Sequence, residues 1–350
     1  MENREPTTPL PAAKPQRHEG PPELSHQIAA HARADEPSGP NPDAERALTV
    51  EEVLALPGSH STSIGAPSSG RIEGSIALPD EGPGFYHNTK RPYEARFGSV
   101  ELVQLIIRAA ANVAEQVPES LLTVNDLGLE DGGPIQQHGS HQSGRDADIL
   151  FYSLDAHGKP IRSVGVPIDP SGAGVDFKDL RDPKDDQPIK LDVKRTWQFA
   201  AALIEVADDQ LQRIFIVEHV RKMLLDEAAR VKAPKKVVQR FADITCQPQA
   251  PHDDHMHIRV FCSPEDMAKG CMDSPPVYPF RVESLAKLGL SPLVASLQQT
   301  IAERRARKAR TTTPEQAKKK AGPMHAKVHA FLKQREAWLK KPSPGRPYCK

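Results

Sequence analysis

The sequence predicts an α+β fold, a small and mostly antiparallel central sheet flanked by helices, with a disordered Pro-rich head and a basic helical tail. Three observations lead there. Helix-period and strand-period segments alternate without the regular strand–helix–strand rhythm of a parallel sheet. The strand-like segments, DADILFY (146–152), RIFIV (213–217) and MHIRVF (256–261), are short. The composition, with 34 prolines, 5% aromatics and 26% charged residues, describes a folded centre diluted by loops.

At 350 residues the chain can hold one sizeable domain with tails or two small ones. Residues 1–46 carry nine prolines and almost no apolar periodicity, which predicts a disordered tail. The folded domain is expected over 47–280, and a basic helical extension over 281–350. Leu48 to Leu56 reads as a small helix, and 59–92, rich in Gly, Ser and Pro, as irregular structure. VELVQLIIRAAANVAEQV (100–117) repeats apolar residues at three- and four-residue steps and is an amphipathic helix. A strand follows over Leu121–Asp126 and a half-buried one over Asp146–Tyr152. Residues 155–190 read as a long loop, of the kind that serves as a lid or binding wall. Then come a helix over Leu191–Val206, a central strand at Arg213–Val217, helices over His219–Lys232 and Lys235–Asp243, and a strand at Met256–Phe261. Another helix is expected from about Ser291.

Formal net charge is zero, so no nucleic acid or other polyion is implied as a partner of the whole chain. The tail differs: residues 302–350 hold fifteen Lys/Arg against three Glu. Such runs are commonly solvated tails, and the sharper reading is an electrostatic anchor for a polyanion. No apolar run approaches a transmembrane length, and the first residues show no secretory signal.

Of fourteen histidines, five fall in two short segments: His138 and His141 in QHGSHQSGRDAD, and His252, His255 and His257 in PHDDHMHIR. Each segment borders an expected strand, and two such strands paired in one sheet would unite the clusters. His255 and His257 alternate on one strand and point to the same face. One imidazole can bind a metal while the other stands beside it as a base. His141, in a turn around Gly144, can be aimed at the same point as a carboxylate of the following strand. Two imidazoles and a carboxylate leave a coordination position open, the pattern of catalytic rather than structural zinc. Asp146 and Asp148 share a strand face, and spacing does not choose between them. Asp253 and Asp254 stand near enough to orient an imidazole. Loop histidines with solvated carboxylates are the ordinary reading of any one of these residues, but clusters of this density are normally metal or catalytic sites.

Cys262 and Cys271 are placed to close a small disulfide loop, and nothing nearby would activate either thiol. Cys246 and Cys349 are a candidate second bridge that would fasten the tail. Ser140 lacks the spacing of a nucleophile elbow and is expected to cap its turn or touch substrate. Phosphate-loop, dinucleotide-binding and His-Glu-x-x-His motifs are absent.

Ser140-His141-Gln142-x-Gly144-x-x-x-Asp148 with the later His255-x-His257 resembles the metallopeptidases that share a fold with lysostaphin-type enzymes, D-Ala-D-Ala peptidases and the hedgehog signalling domain. Within that group, HGSHQSGRDADILFY and APHDDHMHIRVFC are similar to the penicillin-insensitive murein endopeptidases. The similarity runs from about Gly65 to about Cys271, and its two histidine motifs are the specific part. It implies zinc on His141, Asp148 and His257, which favours Asp148 over Asp146. It implies His255 as catalytic base and His252 as a further active-site residue that steadies the oxyanion or shares the proton. It places His138 near the metal or substrate, and leaves Asp146, Asp254 and Ser140 as supporting contacts. The implied reaction is hydrolysis of the D-alanyl–meso-diaminopimelyl cross-link of peptidoglycan, in the periplasm. Two alternatives remain: a zinc carboxypeptidase or dipeptidase acting on murein stem peptides, and a non-catalytic zinc-binding module that recognises the cell wall.

Overall fold

The computed structural model of the chain describes residues 48–248, 250–296, 314–339 and Cys349. The expected disordered head lies outside them. The helix expected from about Ser291 does not start there: the chain is non-helical through 296, with Val294 bridging Asp273, and 297–313 fall outside the described residues.

Helix α1 (Val50–Ala55) opens on a capping box, Thr49 accepting from the Glu52 N–H while Glu52 accepts from that of Thr49. Helix α2 (Val100–Gln116) starts at Ser99, whose hydroxyl accepts from the Leu102 N–H. It buries Leu102, Val103, Ile106, Ala110 and Val113, which realises the expected apolar periodicity. Helix α3 (Val193–Ala207) is capped by Asp192, and α4 (Glu218–Arg230) and α5 (Lys235–Ile244) follow close to their expected bounds. Four more complete the described set: α6 (Pro264–Ala268), α7 (Pro279–Lys287), α8 (Pro314–Ala321) and α9 (Ala326–Leu339).

Fifteen strands are present among the described residues. Those N-terminal to α2 are β1 (Thr62–Ala66), β2 (Ser69–Glu73), β3 (Ile76–Ala77), β4 (Glu81–Gly82), β5 (Phe85–His87) and β6 (Phe97–Gly98). After α2 come β7 (Leu122–Val124), β8 (Asp146–Leu150), β9 (Ser153–Leu154), β10 (Pro160–Ile161), β11 (Ala173–Asp176) and β12 (Gln187–Leu191). The last are β13 (Leu211–Phe215), β14 (Thr245–Cys246) and β15 (His255–Val260). The main sheet runs β14-β13-β15-β8-β7-β5-β4. Its β14–β13 and β5–β7 pairings are parallel and the others antiparallel, so the sheet is mixed.

Four expectations are corrected. Residues 59–92 are not irregular: they contain the β1–β2 hairpin and the two outer strands β4 and β5. Their glycines disguised strands, because Gly70 is a place of close backbone approach. A Cβ there would meet the carbonyls of Ile64 and Ala66 at 2.5 and 2.6 Å. Residues 155–190 are not one structureless loop: between turns they supply β10, β11 and most of β12 of a second sheet, ordered β10-β9-β12-β11, whose strands are short. Strand β13 is not central but second from the edge, outside β15. Strand β8 is buried along its whole length rather than half-buried, because chain segments cover its polar face.

That polar face decides the architecture. Ala147 lies opposite Ile258 and Ile149 opposite Met256 in the β8–β15 ladder, and all four join the main core with Leu102, Ile106 and Phe199 of α2 and α3. By the two-residue period, Asp146, Asp148, His255, His257 and Arg259 share the other face. Both expected disulfides are formed, Cys246–Cys349 and Cys262–Cys271. No helix of the described residues is long and apolar enough to cross a membrane.

His87 at the end of β5 gives the fold an acid-sensitive point. Burial, helped by Arg96 and opposed by Asp126 and Asp80, lowers its pKa from 6.5 to about 4. Unfolding exposes the ring and lets it bind a proton, so this contribution is full above pH 6.5 and is lost as pH falls toward 4. The loss is on the order of 3 kcal/mol. The wild-type advantage in Tm over His87→Gln is expected to narrow across that window. A constant gap from pH 7 to 4 would remove the assignment.

Candidate metal centre

The site forms where β8 and β15 lie side by side. In their antiparallel register His257 stands directly opposite Asp148, and Arg259 opposite Asp146. Two loops complete it, one bringing His138 and His141 and the other His252.

The loop histidines need unusual backbone. His141 and His252 have φ of 67° and 51°, in the left-handed region that L-residues seldom occupy. His141 is followed by Gly144, φ 68°, where a Cβ would stand 2.3 Å from Ile72 Cδ1. The Gly144 carbonyl in turn accepts from the Ser99 N–H at 2.7 Å, which ties the His141 turn to the start of α2. Backbone strain of this kind persists where surrounding contacts over-determine it, and it clusters at functional sites.

Four imidazoles converge on one buried carboxylate. Asp148 Oδ1 has His141 Nε2 at 3.4 Å, His255 Nε2 at 3.4 Å and His257 Nδ1 at 3.3 Å. Its Oδ2 has His138 Nδ1 at 3.4 Å. These contacts are too long for good hydrogen bonds, and His141 Nε2 and Asp148 Oδ1 are buried without a hydrogen-bond partner. Each ring is held from behind by its other nitrogen. His141 Nδ1 bonds the Leu127 carbonyl, His138 Nε2 meets Asp126 Oδ2 at 2.9 Å, His255 Nδ1 meets Asp254 Oδ1 at 2.6 Å, and His257 Nε2 meets Asp146 Oδ1 at 2.6 Å. That arrangement, one nitrogen anchored to an oxygen and the other aimed at a common point, is how proteins orient metal-binding histidines. His138, His141 and Asp148 each offer a ligand atom within 4.8 Å of one another. The orphaned atoms fit a bound cation.

The electrostatics show what the cluster costs. Burial opposes charge on Asp148, but His255 and His141 beside it hold its carboxyl well below the usual range. Asp146 is held low against burial by Arg259 and His257. Burial lowers His257 to about 4, and burial with the nearby His255 and His257 pushes His252 well down. His255 goes the other way, because Asp148 and Asp254 together outweigh burial and raise it well above 6.5.

His252 is set slightly apart. Its Nδ1 donates to the Ala250 carbonyl at 2.7 Å, and its ring lies 4.8 Å from that of His255. The Ser140 hydroxyl approaches Asp146 Oδ1 at 3.5 Å. Sequence reasoning missed three residues. Arg259 donates from Nε to Asp146 Oδ1 at 2.6 Å, and it shared the alternating face with His255 and His257, a signal that could have found it. Asp126, buried, links His138 to Arg91, whose Nε donates to Oδ1 at 2.9 Å. Nothing local in the sequence marks Asp126 or Arg91.

The model of one protein family, the penicillin-insensitive murein endopeptidases, matches residues 63–319, a span that includes both histidine loops and both site strands. The chain belongs to that family. It is 28% identical over 239 residues to the penicillin-insensitive murein endopeptidase of Klebsiella pneumoniae subsp. pneumoniae, covering 67% of this chain and 78% of that protein. To the proteins of the same name from Escherichia coli O157:H7 and Yersinia pestis it is 27% identical over 224 residues and 29% over 222, covering 63% and 61% of this chain and 72% and 71% of theirs. Membership makes this protein a peptidase of the murein endopeptidase family, with a candidate His-His-Asp metal group at its centre.

Proposed function

We propose that the protein is a zinc-dependent endopeptidase hydrolysing the D-alanyl–meso-diaminopimelyl cross-link of peptidoglycan. The observation that carries the reading is the convergence of anchored imidazoles on Asp148, with buried ligand atoms left unpartnered. His141, Asp148 and His257 would hold the metal, the two imidazoles aimed by the Leu127 carbonyl and by Asp146 behind them. His138 is a rival of His257 for the second imidazole position, because His138, His141 and Asp148 bring their ligand atoms within 4.8 Å of one another. Metal content decides between them: His257→Ala loses the ion and His138→Ala keeps it on the favoured assignment.

A bound zinc supplies a water of near-neutral pKa and polarises the scissile carbonyl. With Nδ1 anchored on Asp254, His255 presents Nε2 to the site, takes a proton from the attacking water and passes it to the leaving amine. A cation on Asp148 would offset one of the two carboxylates that raise His255, and so would favour the neutral form that a base needs. His252 donates from Nδ1, so its neutral ring offers Nε2 as an acceptor. That suits proton sharing better than oxyanion binding, which would need the imidazolium that burial opposes.

The Asp254 anchor on His255 speaks against a purely binding module, which has no use for an oriented base. The two disulfides favour an oxidising compartment such as the periplasm. The decisive experiment is mass spectrometry of purified dimeric muropeptides after incubation with the enzyme. Monomer products support the endopeptidase, trimmed stems would replace it by a carboxypeptidase, and unchanged dimers would refute both.

Asp146 supplies a further prediction. Asp146→Asn weakens the anchor on His257 and is expected to lower metal affinity about 10–100-fold, read by competition with a chelating dye. Unchanged affinity would mean that His257 needs no such orientation.

A further inference from the structure

Helix α9 lies beyond the residues matched to the family, yet it reaches the active site. Its Val328, Phe331 and Leu332 pack on Phe177 and Leu180 of the second-sheet region, in a cluster separate from the main core. From the same helix Arg335, fully buried, extends to Asp253, also fully buried. The pair is bidentate: Nε to Oδ2 is 2.6 Å and Nη2 to Oδ1 is 2.5 Å. Asp253 lies between His252 and Asp254, and Asp254 is the anchor of His255. The same tail grips the other end of this segment, where Cys349 is bonded to Cys246 and its N–H donates to the Gln247 carbonyl at 2.8 Å.

Apolar packing alone would seat α9, so it does not explain a buried charge pair, which is poor value as a source of stability. The pair's position explains it better. The Asp253 carbonyl accepts from the Ile168 N–H at 2.7 Å, and the His252 carbonyl from the Val217 N–H at 3.1 Å. These backbone bonds hold the segment from two sides. Arg335 closes the third, next to a residue kept at φ 51°.

We infer that α9 is a strap over the active-site segment 246–255, and that Arg335 is a positioning residue. Through Asp253 it fixes the backbone that carries His252 and Asp254, and so the aim of His255. The inference rests on the role proposed for His255. In the full-length oxidised protein, Arg335→Gln is expected to lower kcat on cross-linked muropeptides on the order of 10–100-fold with KM and zinc content unchanged. Arg335→Lys, which keeps the charge, restores part of the loss. Arg335→Gln with Asp253→Asn loses no more than either single substitution, since the two side chains act as one unit. Amide exchange supplies a readout independent of turnover. Residues 250–254 exchange faster in Arg335→Gln while α2 and the main sheet do not.

Wild-type kcat and wild-type exchange in a folded Arg335→Gln protein would overturn the strap. Loss of protection across the whole domain in both single variants would also overturn it, making the pair a structural support only. Should the wild-type protein leave muropeptides intact, the proposed function fails while the exchange experiment still decides the strap.

Discussion

Asp148→Ala is expected to leave a folded protein that binds no metal and has no measurable turnover. Asp148 is the point on which four imidazoles bear, and its oxygens provide the negative charge that a cation at that point requires. Histidines alone would remain, each with its outer nitrogen still held, so the loops keep their anchors while the centre loses its carboxylate. Elemental analysis and muropeptide digestion together check this. Chelation of the wild type should reproduce the loss, and added zinc should reverse it. Retention of stoichiometric metal by Asp148→Ala would transfer the site elsewhere, and activity indifferent to chelation would remove the metal from the mechanism.

His255→Ala is expected to separate binding from chemistry. The substitution removes the proposed base while leaving the proposed ligands, so zinc content should match the wild type and kcat should fall about 10²–10⁴-fold. KM should change little, because a proton acceptor contributes mainly in the transition state. His257→Ala, one step along the same strand face, should instead lose the metal. Equal metal loss in both variants would make His255 a ligand and require a different base.

Much of this was legible in the sequence because two simple periods carry it. The apolar steps of 100–117 and the alternation of His255 and His257 are local patterns, and the structure follows both. The disulfide partners were legible too, from four cysteines of which two closed an obvious loop. The rest depended on long-range contacts. The second sheet escaped notice because its strands are two to five residues long, so that the one alternating pair, Ile189 and Leu191, is too short a pattern to stand out. Asp126 is the last residue of an expected strand and Arg91 falls in a stretch expected to be irregular, and only the fold places them behind His138. The buried Arg335 lay in what read as a solvated basic tail. Net charge over a segment conceals the one cation among many that is turned inward.

The direct opposition of His257 and Asp148 has a consequence for assembly. A strand has a two-residue period, so a slip of β15 along β8 by one position would turn His255 and His257 toward the helices. It would also bury Met256 and Ile258 on the wrong side. The proposed cation-holding set therefore exists only in a correctly threaded sheet. Capture of an ion by the proposed site during refolding would be in effect a proofreading step, marking those molecules whose central ladder has closed on the right rung.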